Sequence, residues 1–427
     1  MRKLLVVQVA GLGWNLVERY GQMHVGSHIE MRPMASCFPA LTCTAQAVFR
    51  TGTPPTDTAI VGNGRFDRQT RRTDFWNQSA RLVRGRRIWT GHRAAGGRVG
   101  LLFWQQSLGE EVDLLLSPAP IHKHHGGMIQ DCYGQPASLY GHLCHLLGRS
   151  FNLMHYWGPL ASVRSSRWIV EATCAVLADP TLAPELLLTY LPHLDYVLQR
   201  HGPNDERTAR PALLETEKLL RRLSTAARAA GFDILIWGDY AITAATGVVF
   251  PNRLLRERGL FAVRQVGGCT YPDLYATPAF AMVDHQVAHI YLVDSALQAT
   301  VKACFQGVEG IADVRQPEPT THSENGDLVL TAAPGYWFAY PWWEDARTAP
   351  DYARHVDIHN KIGFDPCELF WGWPPPAISL DATRVRGTHG RDDVPACSGS
   401  TASDLRGAST LLELAARLEP WLATDGN

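Results

Sequence analysis

The densest run of residues able to do chemistry lies between Cys37 and Asn63. Phe38-Pro39-Ala40-Leu41-Thr42 leads into an apolar stretch with helical spacing, Cys43–Phe49, which puts Thr42 at a helix N-terminus. Pro39 restricts the residue before it and keeps the entering chain extended. Free backbone N–H groups and the positive end of the helix dipole at such a terminus favour an anion. A hydroxyl there can attack a bound phosphoryl group, or it can simply cap the helix. The continuation, Thr51-Gly52-Thr53-Pro54-Pro55 and then Ile60-Val61-Gly62-Asn63, weighs toward chemistry, because it sets further polar groups at fixed distances from Thr42.

This whole segment resembles the type I phosphodiesterase/nucleotide pyrophosphatase family of the alkaline phosphatase superfamily. That family carries Phe-Pro-x-x-Thr, then Thr-Gly-x-x-Pro, then Gly-Ile-Val-Gly-Asn, and the spacing is kept here without gaps. The resemblance implies that Thr42 is the nucleophile and that Asn63 stabilises the phosphoryl oxygens. Thr58-Ala59 stands where the family has His-Gly. Weaker matches follow in order. They are Ile88-Trp89, Phe103-Trp104, Leu188–Pro203 with Asp195 and Gly202-Pro203 in register, Phe232–Ile242, and Gly387-Thr388-His389-Gly390. Together they span most of the chain and imply the superfamily's fold over nearly all of it. They also imply a two-ion site, usually zinc with manganese also suited, that clamps the attacking and leaving oxygens and activates the hydroxyl. Carboxylate and imidazole ligands suit such ions.

Three implied ligands are missing. The first strand ends Ala10-Gly11 where the family has Asp-Gly, Gln199 replaces the His that follows Asp195, and Tyr240 replaces the His of Asp-His-Gly. Thr42, Asp195, Asp239 and His389 remain, too few for two ions that each need about four ligands. Either the chain is an inactive relative that still binds a phosphorylated metabolite, or its site is rewired. His193, two residues before Asp195, would share a side with it on an extended chain. Asp284 and His285, with His289 beyond, form Asp-His-Gln-Val-Ala-His, and Asp357 and His359 form a second pair. The alternative for His285 and His289 is hydrogen bonding within the core or at the surface. The chain also resembles a divergent branch of the family that lacks the first Asp and carries motifs like Leu-Pro-His-Leu-Asp-Tyr and Val-Asp-Ile-His, which favours rewiring.

Other candidates read as scaffold. Lys123-His124-His125 sits in a loop-like stretch. Gly11-Leu12-Gly13 follows a strand, but the third glycine of a dinucleotide turn is replaced by Leu16. Trp342-Trp343 and Phe370–Trp373 are aromatics near prolines, which fits packing.

The candidate residues need elements that converge. Leu4–Ala10, Glu185–Tyr190 and Phe232–Trp237 are apolar runs of buried-strand character, and Phe280–Leu292 holds another β-like stretch. Helical spacing over 137–147, 168–177 and 213–230 separates them. Strands alternating with helices predict a three-layer α/β/α domain, alkaline-phosphatase-like, with a mostly parallel sheet. Such sheets bind ligands beyond the carboxyl ends of their strands, where Asp195 and Asp239 fall. The expected layout is one domain over 1–427, with insertions at about 104–160 and 243–330 and a terminal helix near 402–422.

Composition bounds the function. Of 427 residues, 45% are hydrophobic and 19% charged, ordinary for a globular chain with a sizeable core. A net charge of −1 offers no basic field for a nucleic-acid polymer. Arg81, Arg84, Arg86 and Arg87 form a local cluster that reads as a solvated turn. The nine cysteines are scattered without a Cys-x-x-Cys pair, which points to a reducing, cytoplasmic setting. The apolar run after Lys3 is short and interrupted by Gln8, so it reads as a strand rather than a signal segment. No stretch reaches the roughly 18 apolar residues of a membrane span. The expected function is metal-dependent hydrolysis of a small phosphorylated substrate at a phosphodiester or pyrophosphate bond. Phosphatase, phosphonate hydrolase and mutase activities are the superfamily alternatives.

Overall fold

The computed structural model describes residues 1–427 except 22, 24, 26–28, 126, 318–323 and 424–427. Half of the polar stretch 316–327, whose prolines and acidic residues read as a turn, thus lies outside the described residues.

In chain order the strands used below are β1 (Leu4–Val9), β2 (Arg32–Met34), β3 (Val99–Leu102), β4 (Leu114–Pro118), β5 (Cys132–Gln135), β6 (Leu186–Leu191), β7 (Asp233–Gly238), β8 (Ala279–Asp284), β9 (Val287–Leu292), β10 (Ile311–Arg315), β11 (Leu328–Ala332) and β12 (Ala396–Ser400). The helices are α1 (Thr42–Thr51), α2 (Val163–Ala178), α3 (His193–His201), α4 (Glu206–Ala229) and α5 (Leu411–Ala423). Eight strands form the main sheet in the order β2-β12-β7-β1-β6-β3-β4-β5. Its centre, from β7 to β4, is parallel, and the pairings beyond it, β7–β12, β12–β2 and β4–β5, are antiparallel.

The apolar runs read from sequence become the three central strands because both faces of the sheet are covered. Leu5, Val7 and Val9 of β1 pack toward α2, α3 and α4, whereas Leu4 and Val6 pack toward α1 and α5. This alternation is the two-residue period of a strand whose two sides are both buried. Phe49 of α1 stacks on Trp237 of β7 with ring centroids 4.8 Å apart, tying the second layer to the sheet. The β-like stretch near residue 280 resolves into the antiparallel pair β8–β9 of a separate four-stranded sheet, order β8-β9-β11-β10. The terminal helix starts at Leu411, after a short 3-10 turn at Ser403–Leu405. No helix among the described residues is long and apolar enough to cross a membrane. Trp342 and Trp343 are buried in the core around the second sheet, but Trp371 and Trp373 are exposed.

Every residue of α1 is buried, including its polar ones. Thr42, Gln46 and Arg50 recur every four residues and therefore line one side of the helix. Gln46 Nε2 donates to Gln8 Oε1 (2.7 Å), and its Oε1 accepts from the Gln105 N–H (2.8 Å). Arg50 donates to the carbonyls of Gln106 (2.7 Å), Gln105 (2.5 Å) and Gln46 (3.3 Å) and lies 3.6 Å from Glu110 Oε2. Burial pulls the Arg50 guanidinium down to about 10, with Glu110 opposing. Arg50→Ala removes the donor to the Gln105 and Gln106 carbonyls and one of the two cations beside the buried Glu110, whose oxygens keep only Arg87. It is expected to lower the unfolding free energy by about 3–5 kcal/mol in urea titration, whereas the exposed Arg347→Ala changes it by less than about 0.5 kcal/mol.

Candidate active site

The site assembles where β1, β6 and β7 end. Each strand hands its next residues to the same small volume, because the three run parallel and in register. β7 ends at Gly238, and Asp239 and Tyr240 follow. Gly238 is required there, since a Cβ would collide with the Leu12 carbonyl. Gly11, at φ +72°, turns its N–H onto Asp239 Oδ1 (3.1 Å). β6 leads through Pro192 into α3, whose first turn carries Asp195.

Thr42 is the first residue of α1, 2% exposed, with its side chain aimed into this volume. Its Oγ1 donates toward Asp239 Oδ2 at 3.3 Å and lies 3.3 Å from the Tyr240 hydroxyl. That hydroxyl donates to Asp195 Oδ1 (3.1 Å), and Gln199, one helical turn on, donates to Asp195 Oδ2 (2.7 Å). Gln8 donates to Asp239 Oδ2 (2.8 Å). His389 packs flat on Tyr240, ring centroids 3.5 Å apart and planes 2° from parallel. Its Nδ1 lies 2.9 Å from the Ala40 carbonyl, so Nδ1 carries the hydrogen and Nε2 presents a lone pair, 3.9 Å from Asp195 Oδ1.

Asn63 closes the other side of Thr42. Its Oδ1 accepts from the Cys43 N–H (3.1 Å), a donor of the first turn of α1. Leu41, at the cap position, offers no side-chain hydrogen bond, so Asn63 caps the helix from outside. Asp284, at the end of β8, receives both the Asn63 N–H (2.7 Å) and Nδ2 (3.2 Å). His285 follows at φ +57° in the tight β8–β9 turn and lays its ring 3.7 Å from that of His389. His289 pins loops instead: its Nε2 pairs with the Val61 carbonyl (3.1 Å) and its Nδ1 accepts from Gly326 N–H (3.3 Å).

Thr42, Asn63, Asp195, Asp239, Asp284, His285 and His389 are therefore brought together, and three other candidates are not. His193 was expected on an extended chain beside Asp195, but both lie in helix α3. Two residues on a helix are turned roughly 200° apart, so His193 faces away, toward Glu215, Arg167 and Arg200. Asp357 spends its carboxylate on the N–H groups of His359 and Asn360 and on the Asn360 side chain. His359 is exposed and lies against the ring of His122.

Burial sets the protonation of this cluster. It pushes the carboxyls up, Asp195 to about 6, Asp284 to about 7 and Asp239 to about 8, while their hydrogen bonds oppose. It pushes His389 down to about 3 and His285 well below its ordinary value. Among the described residues, no Lys or Arg donates to these carboxylates; their donors are amides, backbone N–H groups and hydroxyls.

The sequence model of the family described as type I phosphodiesterase / nucleotide pyrophosphatase matches residues 4–365. The chain belongs to that family. Murine ectonucleotide pyrophosphatase/phosphodiesterase 5 superposes with a TM-score of 0.62 at 14% identity, covering 100% of this chain and 96% of that one. Phosphonoacetate hydrolase from Sinorhizobium meliloti 1021 superposes with a TM-score of 0.63 at 15% identity, covering 99% and 96%. These likenesses show the alkaline-phosphatase-like fold. No curated protein sequence matches the chain.

The family's resemblance implied a two-ion centre, and the donors present do not fit one. Ala10 has no ligating atom, and the side chains at 199 and 240 turn N–H and O–H groups onto Asp195. Each of the four carboxylate oxygens of Asp195 and Asp239 already accepts a hydrogen bond from the chain, so an ion would have to compete with those donors. Among the described residues, no group of three or more His, Cys, Asp or Glu side chains is arranged to hold a metal ion.

Sequence reading missed the donors. Gln8 was visible as the lone polar residue inside an apolar strand, and Gln46 as a polar residue one turn beyond Thr42. Neither belongs to a motif. Their role appears only when β1 and α1 are packed together.

The cluster predicts a pH dependence. Each of these carboxyls is harder to ionise folded than unfolded, where Asp ionises near about 3.9. The folded state keeps protons the unfolded chain has released, so stability drains away as pH rises through about 7 and 8 for Asp284 and Asp239. Above about pH 6.5 histidine no longer masks this. The urea midpoint is expected to fall between about pH 6.5 and 8.5, and a midpoint that rises there contradicts the assignment.

Proposed function

We propose that the chain hydrolyses a phosphodiester or pyrophosphate bond in a small phosphorylated compound, with Thr42 as nucleophile and Asp239 as the acceptor of its proton. The observation that carries this reading is the Thr42 hydroxyl at the first turn of α1, 3.3 Å from Asp239 Oδ2 and 3.3 Å from the Tyr240 hydroxyl. A threonine hydroxyl is a weak nucleophile at its free pKa and needs a base within hydrogen-bond reach. Asp239 is placed for that, and burial makes its carboxylate a stronger base than an exposed one.

The step balances without an ion. Thr42 Oγ1 bonds to phosphorus as its proton passes to Asp239, and the bond from phosphorus to the leaving oxygen breaks, that oxygen keeping the electron pair and taking a proton from solvent. After Asp239 has released its proton to solvent, water bonds to phosphorus and gives a proton to Asp239, which returns it to Oγ1 as the bond from phosphorus to Oγ1 breaks. A bound phosphoryl oxygen would draw the Tyr240 O–H away from Asp195 Oδ1, to which it donates here, and Asn63 Nδ2 would be the second donor on that side. The zinc or manganese centre implied by resemblance does not fit these donors, and no step is routed through it. Support for a small phosphorylated ligand comes from the neighbours. An inactive form of the murine enzyme is solved in complex with AMP, and the Sinorhizobium enzyme with phosphonoformate and with phosphonoacetate. The second of these keeps phosphonate hydrolysis as an alternative, read by phosphate release from phosphonoacetate.

A non-catalytic reading has one specific observation in its favour: Asp284 already occupies the donors of Asn63. A chain that only binds would show saturable AMP binding and no turnover.

Thr42→Ala is expected to lower turnover of bis-p-nitrophenyl phosphate by at least about a thousandfold while leaving the fold intact. Activity that survives this change removes Thr42 from the reaction. In the wild type, kcat at saturating substrate is expected to rise with pH as Asp239 gains its charge. A profile that instead falls from neutral to alkaline pH contradicts Asp239 as the base.

A further inference from the structure

The residue expected to hold phosphoryl oxygens is already gripping an anion of its own chain. Asn63 donates from its backbone N–H to Asp284 Oδ2 (2.7 Å) and from Nδ2 to Asp284 Oδ1 (3.2 Å). Two donors on one residue, each paired with a different oxygen of one carboxylate, form the kind of fork that recognises carboxylates and phosphates. The loop is shaped to this group. Gly62 lies so close that a Cβ would stand 3.3 Å from Asp284 Oδ2. The grip also reaches the helix, because Asn63 Oδ1 accepts from the Cys43 N–H. The positive end of α1 thus feels the Asp284 charge through one side-chain amide.

Among the described residues, no cation pairs with Asp284. Both of its donors belong to Asn63, it is 3% exposed, and the next residue, His285, packs its ring against His389. Its backbone is fixed. The β8–β9 turn is tied down by Gln286 N–H to the His389 carbonyl (2.9 Å), Ala332 N–H to the Gln286 carbonyl (2.9 Å) and Phe338 N–H to the His285 carbonyl (2.7 Å). Only the side-chain torsions of Asp284 are left to move its carboxylate. Asn63 also lines a small surface cleft whose walls mix apolar residues with Arg65, Asp74, Asn77 and Glu324, so the loop that carries the fork is reached from solvent on that side.

We propose that Asp284 is a built-in stand-in for a phosphoryl group at Asn63, and that a phosphorylated ligand binds by displacing its carboxylate from the Asn63 donors. This rests on the reading of the Thr42 pocket as a phosphoryl site and adds a residue that sets its affinity. Two anions cannot share one pair of donors, and like charges a few ångströms apart in a partly desolvated site repel by more than a factor of ten in affinity. Removing the charge while keeping the shape should release the fork.

The test is calorimetric titration of inorganic phosphate into the full chain at mildly alkaline pH, for wild type, Asp284→Asn, Asp284→Ala and Asp195→Asn. Circular dichroism and thermal melts confirm that each is folded. Asp195→Asn removes the same charge from a carboxylate that faces Tyr240 and Gln199 instead of Asn63. Phosphate is expected to bind Asp284→Asn at least about tenfold more tightly than wild type, Asp284→Ala similarly, and Asp195→Asn with a clearly smaller gain. Unchanged or weaker phosphate binding in a folded Asp284→Asn or Asp284→Ala overturns the proposal, because Asp284 then only orients Asn63. An equal gain in Asp195→Asn also overturns it, since net charge alone then explains the effect. Phosphate binding is read without turnover. A wild type that never turns over substrate thus sinks the hydrolase reading alone, and an affinity indifferent to Asp284 sinks this inference alone.

Discussion

Two buried carboxylates, Asp195 and Asp239, sit side by side at the ends of parallel strands with hydrogen-bond donors, not cations, on all four of their oxygens. Burying such a pair is costly unless each oxygen is paired, and this chain pairs them from four directions. Gln8 comes from β1, Gly11 from the turn after it, Gln199 from α3 and Tyr240 from the end of β7. The site's other features follow. Tyr240 must lie between Asp195 and Thr42 to serve both, and its ring then has one open face, which His389 covers. Gln8 can reach Asp239 only if its own carbonyl is satisfied, and Gln46 of α1 does that.

The second constraint is the N-terminus of α1. A helix that starts inside a protein exposes donors that need partners, and a phosphoryl group is a natural one. Here the chain supplies its own. Asn63 caps the helix from a loop, and Asp284 backs Asn63 with a negative charge. The pocket is thus self-satisfied, with the Thr42 hydroxyl between two internally balanced halves. That arrangement reconciles family membership with the absent ligand residues: the scaffold and the hydroxyl are kept, and the charge balance is handled by protons.

Much of this was legible in the sequence, and the failures have physical causes. The fold was legible because Leu4–Val9, Leu186–Leu191 and Asp233–Gly238 are apolar on both faces, a pattern that a parallel sheet between helices requires. Thr42 and Asn63 were legible because they lie in one segment with fixed spacing. Asp195, Asp239 and His389 could be placed by motif, but their partners could not. The donors Gln8, Gly11 and Gln199 come from three elements whose approach is set by packing, and glutamine carries no motif. Substitutions that looked like losses, at 199 and 240, are the hydrogen-bond donors that make the remaining carboxylates tolerable. The error at His193 was one of period, an extended segment read where a helix begins right after Pro192. Asp357 and His359 have the residue types of ligands, but spend them on their own turn and on the surface.

The central claim is that Gln8, Gln199 and Tyr240 hold the carboxylates where ions would otherwise be needed. The most direct measurement is zinc bound per chain after equilibration with excess zinc and gel filtration, compared between wild type and the triple variant Ala10→Asp, Gln199→His, Tyr240→His. The account predicts that wild type retains well under one ion and keeps its melting temperature in chelator, whereas the triple variant retains zinc. Wild type that holds a stoichiometric ion, and melts earlier once a chelator removes it, would contradict the account.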